Sequence, residues 1–205
     1  MARTPTPGTR ETILTAAAGL FYEHGVRAVG MAQVVEVAGC GKNLLYRHFP
    51  SKAELAAAYL ALARRERERS ATEAQRWAAG PREQLLALIG EIADMVRRPG
   101  YRGCAFRNYL TEFPGEDDAP ARAAKSYLAD TRAEMDRLVG ELGGDALLAD
   151  RLWLIVNGLY GGPPSQAQVA MDWVHDLITA AGRGARNAAD SVRSWTEGAT
   201  TSPPG

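Results

Sequence analysis

The 205-residue chain has only two cysteines, Cys40 and Cys104, and three histidines, His24, His48 and His175. The cysteines form no CxxC pair or other metal-ligand spacing, and a reducing compartment would keep them as thiols. The histidines are scattered. Cys104 and His175 would make a nucleophile and base only if the fold joined them, and nothing in the sequence does, so no enzyme is expected. No apolar run approaches the about 18 residues of a membrane-spanning helix. The opening Met1-Ala-Arg-Thr-Pro-Thr-Pro-Gly lacks the apolar stretch of a secretion signal. A cytoplasmic protein with no membrane partner, metal or cofactor is the expectation. Net charge is missing too: 24 basic and 24 acidic residues cancel, which excludes a bulk polycation. Strand-like alternation does not persist anywhere, and there is no internal repeat.

The cancelled charge hides an asymmetry. Residues 1–52 carry six basic residues against three acidic ones, a net +3. A basic N-terminal piece on a neutral chain suits a module that faces nucleic acid. Within it, Gly39-Cys40-Gly41-Lys42-Asn43-Leu44-Leu45-Tyr46-Arg47-His48-Phe49 reads as a tight turn and a short helix. It follows another short helix, Met31–Ala38. Two short helices joined through glycine make a helix-turn-helix, whose second helix can enter the DNA major groove. Leu45 and Phe49, four apart, hold that helix to the core, while Lys42, Asn43 and Arg47 point outward.

Helical period dominates the rest, and the fold class is all-α with about nine helices. Ile13, Leu14, Ala17, Leu20 and Phe21 make the first stripe, ended by Gly25. Ser51 and Glu54 have capping-box spacing at the start of a long helix, Pro81 opens another, and Asp145 can cap a third. Ser165 and Gln168 repeat the capping-box spacing. The last helix is expected to stop at Gly182. The chain divides into a helix-turn-helix domain over 1–55, a second helical domain over 56–182, and a Gly-, Ala- and Ser-rich tail over 183–205 expected to be disordered.

Three segments together resemble the TetR family of bacterial transcriptional regulators. Ile13-Leu14-Thr15-Ala16-Ala17-Ala18-Gly19-Leu20-Phe21 is similar to the family's first helix and Val35-Glu36-Val37-Ala38-Gly39 to its second. Leu45-Tyr46-Arg47-His48-Phe49-Pro50-Ser51-Lys52-Ala53-Glu54-Leu55 is close to its strongest signature. The resemblance covers residues 10–55. It implies a homodimer that binds a double-stranded DNA operator, blocks transcription, and is released by a small-molecule effector. Lys42, Asn43, Leu44 and Arg47 match positions that face base edges. Gln33, Tyr46, His48 and Lys52 match positions that contact phosphates. Gly30, Met31 and Gly41 depart from the family's polar caps. These departures motivate one alternative, a TetR-like ligand- or protein-binding protein without DNA binding. A second alternative is a redox-sensing regulator acting through Cys40.

The resemblance also implies that the C-terminal part encloses an effector pocket. A pocket needs apolar walls with a few placed polar groups. Tyr101, Cys104, Phe106, Asn108, Tyr109 and Phe113 supply such a mix, with Tyr127, Trp153 and Asn157 further on. The last two helices are expected to pair across the dimer through Leu152, Ile155 and Leu159 on one helix and Trp173, Val174, Leu177 and Ile178 on the other.

Overall fold

The computed structural model describes residues 9–198, and side chains as far as residue 182. All regular structure among the described residues is helical: α1 (Arg10–His24), α2 (Met31–Ala38), α3 (Lys42–His48), α4 (Lys52–Gln75), α5 (Pro81–Val96), α6 (Ala105–Glu112), α7 (Ala119–Glu141), α8 (Ala146–Gly161) and α9 (Ala167–Gly198).

The helix starts follow local chemistry. The Thr9 hydroxyl accepts from the Thr12 amide, Ser51 from Glu54 and Asp145 from Leu148, at 3.2, 3.1 and 2.9 Å. Each satisfies an amide that has no partner inside its helix. The Ser165–Gln168 spacing is used differently. Pro164–Gln166 forms a single 3-10 turn and α9 begins at Ala167. Gln168 instead accepts from Arg97 and donates to Asp172. The expected stop at Gly182 is also passed, for α9 runs to Gly198. A glycine inside a helix costs only about 1 kcal/mol against alanine. Residues 199–205 of the expected tail lie outside the described residues.

The chain forms two compact units. One holds the chain up to Ser70 together with Gly100–Thr131, and the other holds Ala71–Pro99 and the chain from Arg132 onward. The expected boundary at residue 55 thus falls inside α4. In the first unit, α1 packs against α2 and α3. Ile13, Ala17, Val34, Leu45 and Leu55 are buried to 0% exposure, with Phe21, Val29 and Phe49 beside them. Phe21 meets the Tyr59 ring edge-on at 5.7 Å. In the second unit, α5 packs against α8 and α9. Its core is Leu85, Ile89, Ile92, Met135, Leu138, Leu152, Val156 and Val174.

Candidate nucleic-acid interface

The α2–α3 turn is three residues, Gly39-Cys40-Gly41. Gly39 has φ +60°, a left-handed conformation in which a side chain would clash with its own backbone. Its amide bonds back to Glu36 and that of Cys40 to Val35. This closes α2 and leads the chain into α3. The α3 helix has seven residues and one fully buried side chain, Leu45, with Phe49 at its C-terminal cap. Lys42, Asn43, Tyr46 and Arg47 are exposed on the opposite face. They recur at the four-residue spacing of one helix side, so Tyr46 shares the face of the expected base readers. The Lys42 ammonium lies 5.9 Å from the Tyr46 ring centre. Leu44 and His48 are half-buried on the flank. The arrangement presents two cations, an amide and a phenol on one short helix pegged from behind.

Gly30 caps α2 with the help of Gln33, whose side-chain oxygen accepts the Gly30 amide at 2.7 Å. The expected phosphate contact is thus partly spent on the fold, and its NH2 group is left to donate outward. Lys52, in the first turn of α4, donates to the Arg27 carbonyl at 3.1 Å. Its pKa is lowered by burial, which the nearby Glu112 carboxylate opposes. The Arg10 guanidinium lies over the Phe49 ring, 4.8 Å from its centre.

Seven of the nine expected pocket residues fall in the first unit, and Trp153 and Asn157 fall in the second. Phe106 of α6 stacks on Tyr127 of α7, with ring centres 3.8 Å apart. Arg67 donates to the Tyr127 hydroxyl at 3.4 Å. The Tyr101 hydroxyl is buried without a hydrogen-bond partner. Other members are spent on structure. The Asn108 amide donates to the Arg102 carbonyl, and Tyr109 donates to Asp118 while stacking on Phe113 at 4.7 Å. Trp153 is half-buried beneath Arg132, and Asn157 is half-buried on α8.

Cys104 is 7% exposed and burial pushes its thiol pKa up, so it is a poor nucleophile. Cys40 is half-exposed. Iodoacetamide near neutral pH is expected to label Cys40 well ahead of Cys104 in the native protein, as read by peptide mass spectrometry. Equal labelling rates would contradict the burial of Cys104.

The expected dimer residues separate by side. Leu152, Leu159, Val174 and Ile178 are at most 4% exposed and serve the protomer's own core. Both helices pack against α5, and α8 packs against α9. Ile155, Trp173 and Leu177 lie outward instead. They are joined by Leu154 at 69% exposure and Val169 at 48%, which the sequence reading missed. Between α8 and α9 this face is hollowed by a concavity of about 460 Å³, floored by Gly158, Leu159 and Ala170.

A glycine-turned helix pair with a pegged, cation-bearing second helix, in an all-helical chain, defines a helix-turn-helix transcriptional regulator. Residues 13–59 match the family model described as bacterial regulatory proteins, tetR family. The transcriptional activator FasR of Mycolicibacterium smegmatis is 32% identical over 163 residues, spanning 77% of this chain and 69% of that one. The chain belongs to the TetR family. A TetR-family regulator of Streptomyces coelicolor superposes with a TM-score of 0.79 at 25% identity, covering 85% of this chain and 96% of that one. The regulator TtgR of Pseudomonas putida is 42% identical over 52 residues, 25% of each chain. No described helix is long and apolar enough to cross a membrane.

Proposed function

We propose that the protein binds a palindromic operator as a homodimer, represses transcription there, and leaves the DNA when a small molecule binds. The observation that carries the reading is the α3 face: exposed Lys42, Asn43, Tyr46 and Arg47 over a fully buried Leu45. Lys42 donates to guanine O6 or N7, Asn43 pairs with adenine, and Leu44 touches a thymine methyl. Arg47 reaches a base or a phosphate. Tyr46, Gln33, His48 and Lys52 hold phosphates and fix the register. The occupant of the α8/α9 face is a second copy of the chain. Burying Leu154, Ile155, Val169, Trp173 and Leu177 contributes roughly 1.5–3 kcal/mol for each large side chain. The effector is planar or aromatic, recognised by the Phe106–Tyr127 stack and the Tyr101 hydroxyl.

Selection from a random duplex library tests this. An inverted repeat is expected, with half-site centres one helical turn apart or a multiple of it. No enrichment over input would sink DNA recognition. With that duplex, Lys42→Ala is expected to cost about 1–3 kcal/mol and relax preference at one base. Tyr46→Phe should weaken every sequence alike. Titrations against single-base variants separate the two. Activation is the second reading, favoured by the name of the 32%-identical relative, a transcriptional activator. A promoter fusion that falls in expression when the gene is deleted would select it.

A further inference from the structure

The turn between α1 and α2 is held from two sides by residues outside the helix-turn-helix. Glu112, the last residue of α6, accepts the Arg27 amide on its carboxylate at 2.6 Å. The Arg27 guanidinium returns to the Glu112 backbone carbonyl and lies over the Phe113 ring, 4.9 Å from its centre. The pairing is reciprocal: the main chain of each residue is bonded by the side chain of the other. From the other side, the Lys52 ammonium takes the Arg27 carbonyl. Both backbone groups flanking Arg27 are therefore fixed by side chains, one from α6 and one from α4. Gly25 completes the fit. A Cβ there would stand 3.0 Å from a Glu112 oxygen, and its φ of +86° suits glycine.

We propose that Glu112 is a positioning residue for operator recognition, setting through Arg27 the angle at which α2 and the reading helix leave α1. The proposal rests on the DNA-binding reading above. The geometry has a direct consequence. The α1–α2 turn is seated on the core by buried Val26 and Val29, and these clamps tie down the backbone of Arg27 between them. Loosening it changes how α2 and α3 meet the groove without removing a group that touches DNA. Operator affinity falls, because it demands one docking geometry. Affinity for arbitrary DNA does not, because phosphate attraction tolerates many geometries. Removing a negative charge from this side of the molecule even favours the arbitrary duplex.

The test uses the full-length protein, its selected operator, and a scrambled duplex of equal length. Glu112→Ala is expected to lower operator affinity about tenfold, the worth of one charge-assisted hydrogen bond, with the scrambled duplex bound as well as before or better. Glu112→Gln keeps a neutral acceptor for the Arg27 amide and should lose about threefold. Hydrogen exchange at the Arg27 amide should quicken in the same order. A proportional loss on both duplexes, or an operator affinity unchanged in Glu112→Ala, overturns the positioning role. Unchanged Arg27 exchange overturns the joint itself. Because Glu112→Gln preserves the hydrogen bond, it keeps the comparison readable if the alanine variant folds poorly. Failure of the wild-type chain to select any operator would overturn the DNA-binding reading, and the exchange rates report on the joint separately.

Discussion

A chain carrying Leu154→Glu and Trp173→Glu is expected to sediment as a monomer and to bind the operator roughly 10²–10⁴-fold more weakly than wild type. The two side chains are 69% and 60% exposed, and they line the same concavity between α8 and α9. Their substitution therefore disturbs no protomer core, and the monomer should keep its helical circular dichroism. In a dimer the carboxylates would be buried opposite their symmetry mates, because a two-fold interface brings the same patch together. Buried, unpaired charges cost several kcal/mol each. The loss in DNA binding follows from linkage. Once one head is seated, the second meets its half-site at an effective concentration in the millimolar range, and a monomer forfeits that gain. Analytical ultracentrifugation reads the first outcome and operator titration the second. A variant that stays dimeric would move the interface elsewhere on the molecule.

The second large effect is expected at Leu45. Leu45→Ala should destabilise the protein by about 2–5 kcal/mol and remove detectable operator binding. Leu45 is completely buried and is the only buried residue among the seven of α3. A helix of two turns is not stable alone in water and takes its order from tertiary contact. With Phe49 as the remaining peg, α3 loses its fixed orientation before the rest of the first unit melts. Thermal unfolding and hydrogen exchange across Lys42–His48 read the two parts. A variant that kept full operator affinity would show that α3 is held by something other than its core face.

What the sequence made legible was local. Gly39 announced its turn, Leu45 and Phe49 their face, and Ser51 and Asp145 their caps, because each effect spans four residues or fewer. Ser165 shows the limit even there: it lies in a 3-10 turn that opens at Pro164, and α9 begins only at Ala167. Non-local geometry was silent. Arg27 and Glu112 are 85 positions apart, and neither sits in a pattern that points to the other. In the sequence Glu112 is one polar residue beside Tyr109 and Phe113. The α8 stripe told that the helix is apolar, not which side its own core would claim. Leu152 went inward and Leu154 outward because α5 occupies one side. Pocket residues were the hardest to read, since an aromatic beside a polar residue serves a fold as readily as a ligand. Asn108 went to the fold, and the Tyr101 hydroxyl stayed unpaired.

The reciprocal Arg27–Glu112 pair bears on how such proteins can be recombined. Residues 10–55 look like a cassette, and a hybrid regulator would naturally be cut just beyond them. Yet the compact unit that contains the cassette also takes in Gly100–Thr131, which the chain reaches only after an excursion through the other unit. A graft joined at the long helix would set one parent's Arg27 against the other parent's α6 terminus. Chimaeras should therefore succeed or fail by whether the donor of α6 brings a carboxylate at this place, a criterion invisible to any comparison of the heads alone.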